Sequence, residues 1–249
     1  DPYYHYQGYR LGDRIGRGGL EKTWERRLRG VDGAEFVEVE ATGARLRVLG
    51  EKRAESGENI TTSLDSQIQI AAYEALEGKR GAVVVSKPKT GEILALVSSP
   101  SYDPNGFQKG LTTEEFNALL HNPDRPLFDR SIGGLYPPAS TFKLITAIAA
   151  LETGKITRET IYEDQGILRV GSYSYANWYF TQYGRKEGPV DIYKALARSN
   201  DIYFYQVGGE VGIETLSSWA RKMGVGSVTG IALDGEAAGT MPDEKWKQE

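Results

Sequence analysis

Tyr136-Pro137-Pro138-Ala139-Ser140-Thr141-Phe142-Lys143 is the stretch from which the rest of the chain is read. A proline pair stops regular structure. An apolar run, Leu144-Ile145-Thr146-Ala147-Ile148-Ala149-Ala150-Leu151, follows and closes near Gly154, so the spacing predicts a helix with a glycine stop. Ser140 then falls in the first helical turn, with Lys143 one turn along the same face. A helix N-terminus carries free N–H groups and partial positive charge, which favour negative charge developing near Ser140. A lysine held against a serine hydroxyl in a partly desolvated place can lose its proton and serve as a base. The plain alternative is a capping serine and a solvated lysine, because Ser-x-x-Lys alone recurs by chance.

Composition narrows the classes. The chain has 249 residues, 39% hydrophobic and 26% charged, which fits a globular protein of one large domain or slightly more. A formal net charge of −4 gives no electrostatic reason to expect nucleic acid as a partner. With no cysteine, disulfides, thiolate metal sites and cysteine catalysis are excluded. His5 and His121 are too few for a histidine metal cluster or a Ser-His-Asp triad, and both read as surface residues. No apolar stretch is long enough to span a bilayer. The chain starts Asp1-Pro2-Tyr3 without methionine and ends as if entering a helix near Trp246, so it reads as a piece of a longer protein.

Residues 1–57 read as a separate module and 58–249 as the start of a larger domain. Leu20, Trp24 and Leu28 lie at helical spacing, and 35–40 and 45–49 alternate as two strands joined at Ala41-Thr42-Gly43. Gly16-Arg17-Gly18-Gly19 imitates a nucleotide loop. Glu21, however, stands where a phosphate loop needs glycine, and no strand leads in, so it reads as a turn. Residues 59–65 read as a β-rich lead-in, and Asp65 or Ser66 caps a helix over 67–76. Runs 81–86 and 93–98 form a hairpin, apolar enough to lie centrally in a sheet. Lys89-Thr90-Gly91 is its connection, where glycine serves the turn and lysine is solvated. Residues 99–110 read as loop, Thr112 opens a capped helix to Leu120, and 122–135 is irregular. The region 155–189 holds Tyr173, Tyr175, Trp178, Tyr179, Phe180 and Tyr183 and reads as an ordered insertion lining a groove, or as plain packing. Helices over 190–198, 202–208 and 213–223 follow, with Ser199-Asn200-Asp201 as the sharp turn between the first two, where Ser199 or Asp201 caps the next helix.

These pieces, in this order, resemble the class B penicillin-binding proteins, the peptidoglycan D,D-transpeptidases, and within them the elongation-type penicillin-binding protein 2 branch. The resemblance runs through Gly18-Gly19-Leu20-Glu21-Lys22, the stretches 61–76, 88–95 and 99–105, Tyr136 to Lys143, and Ala195 to Tyr205. It covers nearly the whole chain. Asp201 stands where the family's second motif, Ser-x-Asn, has asparagine; Ala139 stands where the family usually has glycine. The third motif, Lys-Thr-Gly or Lys-Ser-Gly on a strand beside the serine, is not in the chain, because Lys89-Thr90-Gly91 precedes the serine.

The resemblance implies an α+β fold: an antiparallel sheet with helices, incomplete here, plus a small β-rich N-terminal pedestal. It implies Ser140 as nucleophile on the D-Ala-D-Ala end of a stem peptide and Lys143 as its base. Ser199 would relay a proton to the departing amine, and Asp201 would hold Lys143 or the substrate amide. The Ser140 N–H would be one oxyanion donor. No metal or organic cofactor is implied. Implied partners are the peptidoglycan stem peptide, β-lactams, and a glycosyltransferase with other elongation proteins through the N-terminal module, with no nucleic acid. The place of work is extracytoplasmic, with the parent anchored in the cytoplasmic membrane. The alternatives are a β-lactamase-like serine hydrolase, or a penicillin-sensing or scaffolding domain of the same fold. Lacking the third motif, residues 1–249 alone are expected to be inactive.

Overall fold

The computed structural model describes residues 9, 10 and 12–248. His5 lies outside them. By its packing the chain divides into two compact units. One holds the described residues up to Gly134 together with Gly230–Glu236; the other holds Leu135–Thr229 and the described residues from Ala237 on.

The first unit opens with helices α1 (Gly19–Thr23) and α2 (Glu25–Leu28), which meet at Trp24 (φ −107°, ψ 13°). The single helix expected over Leu20–Leu28 is therefore broken, and the break sits at the residue on which the spacing argument leaned. Strands β1 (Ala34–Val39) and β2 (Arg45–Lys52) pair antiparallel with two register shifts, as the alternation predicts. Residues 59–65 form no strand; Ser63 Oγ and the Asp65 N–H instead donate to the Ile93 and Leu94 carbonyls. Asp65, not Ser66, caps α3 (Ser66–Ala75), accepting from the Gln67 and Ile68 N–H groups.

Strands β3 (Gly81–Ser86) and β4 (Ile93–Ser99) make a two-stranded antiparallel ladder. Among the described residues no further strand joins it, so the hairpin is not central in a sheet. One face buries Ala95 and Val97 against Ala72 of α3, with Ile68, Leu76, Val83 and Val85 packed around them. The other face leaves Val84 exposed. The connection at Lys89-Thr90-Gly91 is a turn with Gly91 at φ +79°, and Lys89 is exposed.

Residues 99–110, expected as loop, contain helix α4 (Pro104–Lys109). The signal was present: Asp103 caps it and Pro104 sits at its first position, where a missing N–H costs nothing. Helix α5 (Thr113–Leu120) carries the expected capping box between Thr112 and Glu115. The irregular stretch before Leu135 holds one turn, α6 (Arg130–Gly133). Buried Arg130 spends its guanidinium on the carbonyls of Asp124, Arg125 and Phe128. Thr112→Ala removes one half of the capping box. It is expected to cost about 1 kcal/mol, read as a thermal-unfolding midpoint lowered by a few degrees.

In the second unit, a 3₁₀ turn (Ala139–Phe142) runs into α7 (Lys143–Glu152). Gly154, at φ +67°, ends α7, with the Lys155 N–H returning to the Ala150 carbonyl, as the sequence predicts. Strand β5 (Tyr162–Asp164) precedes a hairpin of β6 (Ile167–Val170) and β7 (Tyr173–Ala176), then α8 (Trp178–Tyr183) and β8 (Gly188–Val190). Strand β5 pairs with β8 and β6 with β7, both antiparallel. Helices α9 (Ile192–Ala197), α10 (Asp201–Val211), α11 (Ile213–Lys222) and α12 (Glu244–Gln248) complete the chain. Val190 thus belongs to a strand rather than to the helix expected from it.

The core of this unit packs Ala147, Ala149 and Ala150 of α7 against Tyr203, Phe204, Val207 and Val211 of α10. The small alanines let the two helices approach closely, and α10 is the element that carries the Ser199–Asp201 turn to α7. The architecture is α+β with open antiparallel ladders.

Candidate active site

Ser140 is exposed and lies in the 3₁₀ turn, one turn before the α-helix in which it was expected. The difference has a local cause. Ala139 takes φ +48°, a left-handed conformation that carries the chain out of the proline pair. The Thr141 hydroxyl donates back to the Pro138 carbonyl, and the Lys143 N–H to the Ser140 carbonyl. In a 3₁₀ turn residues i and i+3 eclipse, so Ser140 and Lys143 still share a face. The left-handed φ also gives a physical reason for the glycine usual in the family at Ala139, since a Cβ there costs on the order of 1 kcal/mol.

Lys143 opens α7 and is the centre of the cluster. Its Nζ donates to Asp201 Oδ1 at 2.5 Å, to the Ser199 carbonyl at 2.7 Å and to Ser199 Oγ at 3.1 Å. The two side chains of the ion pair are 14% and 22% exposed, so water screens this pair far less than a surface one. The Phe204 ring lies 5.8 Å from Nζ and covers one side of it. The structure thus joins Lys143, Ser199 and Asp201. Ser140 hydroxyl makes no hydrogen bond to another described residue.

Ser199 owes its place to a strained turn. At φ +50° it is one of few non-glycine residues on the left-handed side, and that conformation accompanies presentation of both its carbonyl and its hydroxyl to one amine. The cap of α10 is Asn200, not Ser199 or Asp201: its Oδ1 accepts the Tyr203 N–H at 2.8 Å. Asp201 is thereby freed to face Lys143 with one carboxylate oxygen, while the other accepts the Trp178 N–H at 3.2 Å. Tyr205, one turn along α10, has its hydroxyl pushed up in pKa by partial burial and then by the Asp201 carboxylate, so it stays neutral.

Behind the turn lies a buried polar cluster that sequence reasoning missed. Asp164, at the end of β5, is 1% exposed, and Asn177 and Asn200 are 0% exposed. Asp164 Oδ2 accepts from Asn177 Nδ2 at 2.6 Å and from Asn200 Nδ2 at 2.7 Å; Oδ1 accepts the Gly166 N–H at 2.6 Å. Asn177 Oδ1 in turn accepts the Asp201 N–H at 3.3 Å. Gly166 is at φ +86°, and a Cβ there would lie 2.4 Å from the Phe180 ring, so only glycine fits. An Asp two residues before a Gly signals a local turn, but nothing local to 164 points to 177 or 200.

In the aromatic region Tyr173, Tyr175 and Tyr183 are exposed, while Trp178, Tyr179 and Phe180 are half-buried. Arg198 lies 5.3 Å from the Trp178 ring and 4.9 Å from the Tyr179 ring, and Trp178 Nε1 donates to the Arg198 carbonyl at 2.8 Å. The aromatics thus brace the end of α9 just before Ser199.

Residues 81–249 match the family model described as the penicillin binding protein transpeptidase domain, and residues 2–62 match the penicillin-binding protein dimerisation domain. The chain is similar to the peptidoglycan D,D-transpeptidase MrdA of Escherichia coli (strain K12), 43% identical over 236 residues, which cover 94% of this chain and 37% of that protein. It is also similar to penicillin-binding protein 3 of Bacillus subtilis (strain 168), 34% identical over 210 residues, 84% of this chain and 31% of that one. Among solved structures, a complex between PBP2 and MreC from Helicobacter pylori superposes with a TM-score of 0.83 at 33% identity, covering 94% of this chain and 43% of that chain. PBP2 of Pseudomonas aeruginosa in complex with WCK 5153 gives 0.77 at 36% identity, covering 94% and 48%. The chain spans little more than a third of the length of MrdA.

Proposed function

Because this chain belongs to the penicillin-binding protein transpeptidase family, we propose that it is the nucleophile-bearing part of a peptidoglycan D,D-transpeptidase of cell elongation. The observation that carries this reading is the Lys143 amine, held at once by Ser199 Oγ, the Ser199 carbonyl and Asp201. Ser140 Oγ attacks the carbonyl of the penultimate D-alanine of a stem peptide. Lys143, in its proton-free form, takes the hydroxyl proton, and the Ser140 N–H is one donor to the oxyanion. The C–N bond to the terminal D-alanine breaks as Ser199 passes the proton to the leaving amine. An amine of a neighbouring strand then attacks the ester, forms the cross-link and restores Ser140. A β-lactam imitates the D-Ala-D-Ala end; its ring C–N bond opens and no leaving group departs, so the ester persists.

A third-motif strand and a second oxyanion donor are part of this proposal for the whole protein, since the chain covers 37% of the length of MrdA. We infer a border between a pedestal module, residues 1–57, and the transpeptidase part, residues 58–249, within the first packing unit, which runs on to Gly134. The hairpin ending at Lys52 supports it, as do family matches of 2–62 and 81–249. Elongation-complex proteins are the partners proposed for the pedestal, a glycosyltransferase among them; the PBP2–MreC complex of a related protein supports this. The site works outside the cytoplasm, where its substrate is, with the parent protein anchored in the membrane; among the described residues no helix is long and apolar enough to cross one.

The test is mass spectrometry of the whole protein after exposure to a labelled penicillin. Trypsin cuts after Arg130 and Lys143, so the adduct is expected on peptide 131–143, with fragment ions placing it on Ser140. A label on any other residue rejects the reading.

A further inference from the structure

We propose that Asp164 is a positioning residue for acylation, acting on Lys143 through Asn177, Asn200 and Asp201. The inference rests on the reading of Ser140 and Lys143 given above. A carboxylate with 1% exposure is costly unless hydrogen-bonded. No cation pairs with Asp164 among the described residues. Its three contacts are all neutral donors: the Gly166 N–H and the side-chain amides of Asn177 and Asn200. Those amides belong to the two segments that hold Asp201. Asn177 takes the Asp201 N–H on its Oδ1, and the next residue, Trp178, gives its own N–H to Asp201 Oδ2. Asn200 caps α10 and is the middle residue of the turn whose flanks, Ser199 and Asp201, receive the Lys143 amine.

One buried carboxylate therefore fastens together the two backbones that fix the acceptors of Lys143. Each amide is oriented by it as well. With Nδ2 committed to Asp164, the Oδ1 of each asparagine can only point at a backbone N–H, of Asp201 in one case and of Tyr203 in the other. Without the carboxylate, both amides can rotate, and the Ser199 turn (φ +50°) is left to the Ser199 and Asn200 N–H bonds to the Leu196 and Ala195 carbonyls and to the Lys143 amine. A displacement of about 1 Å in a catalytic group costs on the order of 100-fold in rate.

The experiment uses the whole protein and a fluorescent penicillin, with the non-covalent binding constant and the acylation rate constant resolved separately. Asp164→Asn keeps only one acceptor oxygen and sets its N–H₂ against a donor in either orientation: the Gly166 N–H if the oxygen stays on Asn177 and Asn200, or those two amides if it turns. Its acylation constant is expected to fall about 10- to 100-fold, with the non-covalent constant within about twofold, since Asp164 touches no substrate. The pair Asp164→Asn with Asn177→Asp restores one donor–acceptor match and is expected to recover part of the rate. Should Asp164→Asn not fold, Asn177→Ser is measured in the same way. A purely structural role lowers the fraction of protein that can be labelled but leaves the labelled fraction reacting at the wild-type constant, and that result overturns the inference. Wild-type label on a residue other than Ser140 overturns the reading beneath it, and the inference with it.

Discussion

Ser140→Ala, made in the whole protein, abolishes covalent labelling by penicillin and leaves thermal stability within about 0.5 kcal/mol of wild type, the range of ordinary surface changes. The two halves of the result have separate causes. The Ser140 side chain is exposed and makes no hydrogen bond to another described residue, so the fold loses nothing with its hydroxyl. The chemistry loses everything, because in the proposed reaction Ser140 Oγ is the atom that forms the ester, while Ser199 Oγ, bonded to Lys143, relays the proton and Asp201 holds Lys143 and the Trp178 N–H. Loss of a nucleophile in a comparable hydroxyl-based enzyme costs on the order of a million-fold. A gel of the labelled protein and a thermal melt check both halves. Retained labelling would exclude Ser140 as nucleophile.

Lys143→Met is the second large effect, and unlike the first it is felt by both fold and chemistry. Removing the amine deletes the base, for which a loss of about 100- to 10,000-fold in acylation is expected. It also leaves Asp201 Oδ1 and the Ser199 carbonyl without their donor in a place little open to water. A fully buried charge stripped of its partner costs about 3–5 kcal/mol; with Asp201 at 22% exposure, a cost of about 1–3 kcal/mol is expected after discounting for solvent. Adding Asp201→Leu removes the orphaned charge and is expected to recover most of the stability while recovering none of the acylation. Denaturant midpoints and acylation rates, measured on the single and double variants, separate the two roles. A double variant that regained labelling would show that Lys143 is not the base.

Much of the site was legible because its signals are short-range. The proline pair, the serine and lysine three apart and the apolar run to Gly154 place Ser140 and Lys143 on one face, even though the turn is 3₁₀ rather than α. The turns of the β1–β2 and β3–β4 hairpins, the capping box at Thr112 and the stop at Gly154 were readable for the same reason, as each is decided within about five residues, whereas the β6–β7 hairpin was not read. Misreadings arose where packing chose between local options. Trp24 breaks a helix that spacing allowed, residues 59–65 give hydrogen bonds to β4 carbonyls rather than forming a strand, and Asn200 outcompetes Ser199 and Asp201 as cap.

The amino-acid order alone determined which groups could do chemistry and which family's motifs they form. The folded chain decided which of them meet: Lys143 finds Ser199 across 56 residues, and Asp164 finds Asn200 across 36. The physical reason is that a buried polar group must be matched by another, and its match is whatever the packing of α7 on α10 delivers to it. No window of sequence contains both halves of such a pair.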